Sequence, residues 1–419
     1  MVALVLILAL GLGLRVNEAW HGGAQVFDAS AYAEIAANLN LGEGFTLGET
    51  ATQPASNYSP GLPLFVAGFY ELTGGIDERN ARLVLALVGA VAVLFTYLIG
   101  RRLSGSLAGL IGAGAIAIYP ALLEYQGMLM SEPLAATLLS GGVLAVLWAA
   151  GPASLARGWL LPGALFGCLV LVRPEYLGIV LLVSLVVLVK DWRVDWRKSL
   201  ATAAILLAGV AIVVVPWTVR NAVALDRFVP ISTGGGQVLF AGTYLPSDGD
   251  PEKVGAEVVE RHPELFGPGA VERLRLEQIL ARLAESRYPQ METDEALGRM
   301  GREQLWDDIS EEPVEYAGFV ATKIGRIWGH GPRDVMRQPG WELLHWALVA
   351  FGLVGLIVLA AQRRWEALLL ATIFVGITAV CALLVASPRR VLVMMPLVAA
   401  LAGVGVVASR DSLARRWRS

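Results

Sequence analysis

Few ionisable residues interrupt the apolar stretches of this chain, and those that do cluster in short turns. The first is Asp28, in Phe27-Asp28-Ala29-Ser30-Ala31-Tyr32, ahead of a helical pattern over 29–39. An Asp there can cap the helix by accepting its orphan N–H groups. It can also act as a general base near a membrane surface, and one residue can do both. Next, Asn57-Tyr58-Ser59-Pro60-Gly61-Leu62-Pro63 predicts a rigid turn, from two prolines and a glycine. Glu132 follows Tyr119-Pro120 and opens a further apolar run as Ser131-Glu132-Pro133. It either faces water beside a helix start, where negative charge is favoured, or shares a cavity with Asp28. Arg173-Pro174-Glu175 breaks what would otherwise be one long apolar stretch. It reads as a self-paired hairpin or as a functional site, the default for ionisable groups at membrane depth. Arg220 ends Pro216-Trp217-Thr218-Val219-Arg220, and Arg389 with Arg390 lies in Ser387-Pro388-Arg389-Arg390, where one of them can snorkel. Guanidinium forks grip phosphate oxygens bidentately. Acids and arginines gathered at one membrane face point to chemistry on a lipid-linked phosphate.

What must position these residues is a set of membrane helices. The chain has 419 residues, of which 56% are hydrophobic and 16% charged, and its mean hydropathy is +0.60. Soluble domains carry about 25% charge. Runs of about 20 apolar residues suit helices crossing a hydrocarbon core, and the short alternating segments of a β-barrel are missing. Spans are expected at 2–17, 81–100, 105–120, 133–150, 158–172, 176–190, 199–217, 341–361, 366–386 and 389–408. The stretch 62–72 is too short to cross and reads as interfacial or re-entrant. The apolar N-terminus lacks the basic start and small-residue cleavage site of a signal peptide, so it reads as an uncleaved first helix.

Orientation follows from Lys and Arg in the short loops. Arg101, Arg102, Arg157, Lys190, Arg193, Arg197, Lys198, Arg363, Arg364, Arg410, Arg415, Arg416 and Arg418 fall on one side, against only Arg79, Arg82, Arg173, Arg389 and Arg390 in the short loops of the other, which predicts cytoplasmic termini. Three regions follow: a membrane core over 1–220 with a catalytic external loop at 18–80, an external α-rich domain at 221–340, and terminal spans with a basic tail at 341–419. Cys168 and Cys381 lie in apolar runs and read as packing residues, with no disulfide framework. The four histidines, His21, His262, His330 and His345, are too scattered to suggest a zinc site. No two matching halves are visible, which weighs against a secondary transporter.

The ordered motifs resemble the bacterial GT-C glycosyltransferases of the dolichyl-phosphate-mannose protein mannosyltransferase superfamily, which includes the lipid A aminoarabinose transferase. The residues that carry the likeness are Asp28, Tyr32 and Ala36 with Gly42-x-Gly44-Phe45, then Ser59-Pro60-Gly61-Leu62-Pro63-Leu64. Tyr119-Pro120, Ser131-Glu132-Pro133-Leu134, Arg173-Pro174-Glu175, Pro216-Trp217-Thr218-Val219-Arg220-Asn221 and Arg390 with Pro396 complete it. The resemblance implies an all-α polytopic GT-C fold of about ten transmembrane helices with a helical first external loop. It implies transfer of a sugar from a polyprenyl-phosphate donor to a glycan, lipid or protein acceptor on the outer face of a bacterial inner membrane. Asp28 would be the catalytic base. Tyr32, Tyr58, Glu132, Arg173, Glu175, Arg220, Arg389 and Arg390 would bind substrate. No cofactor is certain, a divalent cation (Mg or Mn) is left open, and no nucleic-acid partner is expected. Two departures stand out: Ala29 follows Asp28 where members often have a second acid, and Val391 follows Arg390 where they often have Tyr. The competing readings are a lipid or glycan flippase, which needs charges lining a mid-membrane path, and a non-catalytic subunit of the same fold.

Overall fold

The computed structural model describes residues 1–23, 27–48, 53–151, 156–267, 269–329, 331 and 333–416. His330 and Arg418 lie outside them. Helices dominate. The first half holds α1 (Val2–His21), α2 (Phe27–Asn40), α3 (Gly61–Thr73), α4 (Glu78–Ser104), α5 (Ser106–Ala117), α6 (Pro120–Glu124), α7 (Ser131–Ala149), α8 (Leu160–Val172), α9 (Tyr176–Lys190) and α10 (Trp196–Leu225). There follow α11 (Gly235–Thr243), α12 (Val254–Arg261), α13 (Ala270–Arg273), α14 (Leu276–Arg287), α15 (Thr293–Glu311) and α16 (Pro313–Gly329). The chain ends with α17 (Pro339–Ala361), α18 (Trp365–Leu383), α19 (Pro388–Leu392) and α20 (Met395–Arg416). A two-residue antiparallel ladder, Thr46–Leu47 with Gln53–Pro54, closes the loop after α2.

Among the described residues, seven helices are long and apolar enough to cross a membrane: α1, α4, α7, α10, α17, α18 and α20. α5 with the segment Pro120–Gly127 makes an eighth, bent by 55°. α8 and α9 are apolar but shorter. Each expected span thus has its helix, and the chain is an all-α polytopic membrane protein. Several boundaries differ from the sequence reading: α10 runs on to Leu225, past the expected end at 217, and two further differences have a local reason. The 105–120 span breaks at Ile118 and restarts at Pro120, which has no N–H to continue the ladder. The last span begins at Met395 rather than 389, because the helix starting at Pro388 stops at Leu392. Further on, α13 ends at Leu274, which is extended, and Gln278 Oε1 accepts from the Arg275 N–H at 2.9 Å as α14 starts.

The chain forms two compact units. The first comprises Met1–Ile231, Gly331–Gly376 and Leu392–Ser419, and the second Ser232–His330 and Ile377–Val391. In the first unit, helices close on one another through small residues, as expected where no hydrophobic force separates helix from lipid. A Cβ on Gly209 of α10 would lie 3.0 Å from Gly163 Cα of α8, and one on Gly405 of α20 would lie 3.0 Å from Gly355 N of α17. α7 is the most enclosed of the seven, with 89% of its apolar window buried, whereas α1 buries 17%.

The second unit folds around Phe240, Val254, Val258, Leu280, Leu283 and Met300. Asp294 Oδ1 accepts from Gly236 N at 2.9 Å and Gln237 N at 3.1 Å, which caps the start of α11. The glycine run at 234–236 is needed there: Gly234 has φ 92°, and any Cβ on Gly236 would strike the Asp294 carbonyl.

Candidate functional site

Glu132 lies in the first turn of α7 and is fully buried. A water-facing carboxylate at a helix start is therefore excluded. Arg173 caps the end of α8 in extended conformation, and its Nη2 lies 2.8 Å from Glu132 Oε1. Its Nη1 lies 3.3 Å from Glu175 Oε1, so one guanidinium bridges both acids. The hairpin is thus paired across helices as well as within itself. Burial of this kind tolerates charge only when it is paired. The next residue, Tyr176, is also fully buried.

The Ser59-Pro60-Gly61 turn fixes where this cluster sits. A Cβ on Gly61 would come within 2.6 Å of Val172 N and 2.8 Å of Leu171 C. Only glycine lets α3 start directly against the backbone that ends in Arg173. α2 packs along α3 and carries Asp28, half-buried in its first turn. Tyr32 and Tyr58 meet edge to face with ring centroids 5.7 Å apart. Ile35, Phe45 and Ala55 form a small core beneath them, against which Tyr58, Leu47 and Trp217 pack.

Arg220 belongs to this second cluster. Its guanidinium lies 4.9 Å from the Trp217 ring centre and 5.6 Å from that of Phe45, and those two rings meet at 4.9 Å. The Gly42-x-Gly44 turn, with φ near 80° at both glycines, delivers Phe45 to this place. Arg220 Nη1 donates to Asn221 Oδ1 at 3.2 Å, a neutral partner, and no carboxylate pairs with it among the described residues. The rest of the Pro216–Asn221 motif is structural. Trp217 Nε1 donates to Ile231 O at 2.8 Å, Thr218 Oγ1 to Pro230 O at 2.7 Å, and Asn221 Nδ2 to Val229 O at 3.1 Å. These bonds clamp the chain as it reverses after α10.

In the first unit Tyr32 and Tyr58 meet at the first loop, Tyr58 and the rings that hold Arg220 share one small core, Asp28 lies in the first turn of α2, and Arg173 joins Glu132 and Glu175 beside the start of α3. Arg389 and Arg390 lie in α19 and belong to the second unit, where Arg390 Nη1 donates to the Val385 carbonyl. The sequence reading missed the residues that brace the 118–132 stretch. Arg15, buried in α1, donates to Gly11 O at 3.0 Å, Ile116 O at 3.0 Å and Ala117 O at 3.1 Å. The Tyr119 hydroxyl lies 2.8 Å from His345 Nδ1, and Arg333 Nε 3.1 Å from Glu124 Oε2. An arginine inside the first apolar run was the available signal for one of these. The other two join residues distant in sequence and leave no local trace.

No group of three or more His, Cys, Asp or Glu is placed to hold a metal among the described residues. Glu132 and Glu175 each give an oxygen to Arg173, which offsets one of their two charges. The chemistry proposed for the site is therefore drawn on side chains alone. Cys168 is partly buried and Cys381 buried, and no disulfide joins them.

Residues 56–219 match the family described as dolichyl-phosphate-mannose-protein mannosyltransferase. No curated protein sequence matches significantly. Among solved structures, the oligosaccharyltransferase AglB from the archaeon Archaeoglobus fulgidus, in complex with an inhibitory peptide and a dolichol-phosphate, aligns with a TM-score of 0.56 at 17% identity. That alignment covers 98% of this chain and 50% of the archaeal one. The same enzyme tethered to an acceptor peptide gives a TM-score of 0.59 at 14% identity, covering 98% and 49%. ArnT from Cupriavidus metallidurans, bound to undecaprenyl phosphate, is a looser likeness: TM-score 0.47, 16% identity, 96% and 77% covered. The chain therefore spans about half the length of the archaeal enzyme. Its fold is that of the archaeal oligosaccharyltransferase, and over residues 56–219 it matches the family described as dolichyl-phosphate-mannose-protein mannosyltransferase.

Proposed function

We propose that the protein is a membrane glycosyltransferase that moves a sugar from a polyprenyl-phosphate donor to an acceptor at the outer face of a bacterial inner membrane, with both termini cytoplasmic. The observation that carries this reading is Arg220. It is a cation stacked on Trp217 and Phe45, lacking a carboxylate partner among the described residues, on the same first-loop frame as Asp28. A held, uncompensated guanidinium is what a leaving phosphate needs. The dolichol-phosphate bound by the archaeal enzyme of the same fold supports a lipid-phosphate donor.

In the reaction, the acceptor oxygen attacks the anomeric carbon while the bond from that carbon to the phosphate oxygen breaks. The bonding electrons stay on the phosphate, and Arg220 stabilises the charge that grows there. Arg389 and Arg390 are further candidates for this role. Asp28 takes the proton from the acceptor hydroxyl. A single displacement inverts the anomeric centre. Tyr32 and Tyr58 would wall the sugar. Arg173 has a different part from that of a free phosphate ligand. Its charge is spent on Glu132 and Glu175, so it holds Glu132 in place and joins α7 to α8.

The test supplies polyprenyl-phosphate sugars to the full-length protein in membranes. Asp28→Asn should cut transfer by about 10²–10⁴-fold, the usual contribution of general base catalysis. Undiminished transfer by Asp28→Asn would remove it from the mechanism. Arg220→Ala should raise the donor KM by about 10–100-fold, the worth of one hydrogen bond to a charged group.

A further inference from the structure

The second unit carries a cleft of about 470 Å³ between the end of α14 and the face of α15, lined by Arg287, Tyr288, Arg302, Glu303, Trp306 and Asp307. One wall is braced. Glu303 accepts the Tyr288 hydroxyl at 2.7 Å and pairs with Arg299 Nε at 3.0 Å and Arg287 Nη2 at 3.5 Å. Arg299 also lies 4.8 Å from the Tyr288 ring centre. The other wall is uncommitted. Trp306 is 72% exposed and packs into no core, and its indole N–H has no acceptor among the described residues. Arg302 and Asp307 flank it without an ion pair among the described residues.

An exposed indole face beside a free carboxylate and a free guanidinium, on a rigid wall, suits a ring that is apolar on its faces and hydroxylated at its rim. That is a pyranose. An exposed tryptophan can instead anchor in a bilayer interface, but Asp307 lines the same cleft and the chain just beyond it carries Asp308, Glu311, Glu312 and Glu315, an acidic stretch that would repel anionic lipid. We propose that this cleft binds a pyranose of the acceptor, stacked on Trp306 and hydrogen-bonded by Asp307 and Arg302, so that the acceptor is a glycan. The proposal rests on the glycosyltransferase reading above and narrows its acceptor.

The experiment uses the full-length protein in lipid nanodiscs with no donor present, so it does not depend on transfer. Maltotriose, mannotriose and chitotriose are titrated up to about 10 mM, a range that reaches the millimolar affinities of weak ligands. At least one should bind saturably. Trp306→Ala should weaken that binding by about tenfold or more, and Trp306→Phe, which keeps a smaller platform, by about threefold. Asp307→Asn should also weaken it. Absence of saturable binding by all three sugars overturns the proposal, as does equal binding by wild type and Trp306→Ala. Loss in Trp306→Phe of quenching by brominated lipids, without any sugar response, would place the indole in the bilayer and overturn it too. Sugar binding without transfer activity would instead leave the cleft standing and defeat the donor reading.

Discussion

Two arginines in the first unit look alike in the sequence and differ in what surrounds them. Arg173 is enclosed between two acids, and Arg220 is stacked on rings with a neutral amide beside it. Their variants should differ accordingly. Arg173→Ala removes the cation that pairs with the buried Glu132, and should cost about 3–5 kcal/mol of stability. The double change Arg173→Met with Glu132→Gln should recover most of that loss in thermal unfolding of the detergent-solubilised protein. If Arg173→Ala melts at the wild-type temperature, the buried pair does not exist as described. Arg220→Ala should melt within a few degrees of wild type while donor use falls. The residue types and their order were readable from the sequence, including Glu132, Arg173 and Glu175. The pairing of Arg173 with Glu132 was not, because it depends on how α7 and α8 pack. The sequence offered a self-paired hairpin as an equal alternative, and a local motif cannot show a contact made across helices.

At the scale of elements, the first loop is held by close backbone contact more than by bonds. Gly61→Ala puts a methyl group where Val172 N already lies 2.6 Å away. Overpacking of this kind costs about 1–3 kcal/mol. It should also shift α3 away from the end of α8, and with it α2, which packs along α3 and carries Asp28, so transfer should fall further than stability. Equal activity in Gly61→Ala would mean that α3 does not set the site. The positions of the spans were legible because twenty apolar residues leave little choice. The breaks were less so. Pro120 closes the expected span, but the helical turns that follow it over Pro120–Gly127 read as loop. The start of α20 at Met395 was missed because the apolar run begins earlier than the helix does.

At the scale of the whole molecule, the charge balance of the second unit gives a pH-dependent prediction. Burial, with Asp307, Glu311, Glu312 and Glu315 nearby, raises the Asp308 carboxyl from 3.8 to about 6. The folded state then binds this proton more tightly than the unfolded chain. Its contribution to stability therefore falls as pH rises from about 4 through about 6 and stays unfavourable above that. Asp308→Asn should raise the unfolding temperature at pH 7, and the gain should shrink toward pH 4. The effect is small because the group is mostly solvated. A gain independent of pH would point to packing instead of charge.

Arg15 sets a condition on how the protein is made. Its guanidinium satisfies the Ile116 and Ala117 carbonyls, which the bend after α5 leaves without helical partners. Hydrocarbon offers no substitute for such bonds. During synthesis α1 leaves the ribosome long before α5, so α1 must wait at the translocon or in the nearby bilayer until α5 arrives. Until then the chain holds an unmatched cation on one helix, and α5 would enter with two bare carbonyls. Arg15→Leu should therefore show its largest effect in biogenesis, as misinserted and degraded chain. The few molecules that mature should lose only about 1–3 kcal/mol per orphaned group. Pulse-chase with protease protection would separate the two, and normal insertion with a mature-state defect alone would refute this order of assembly.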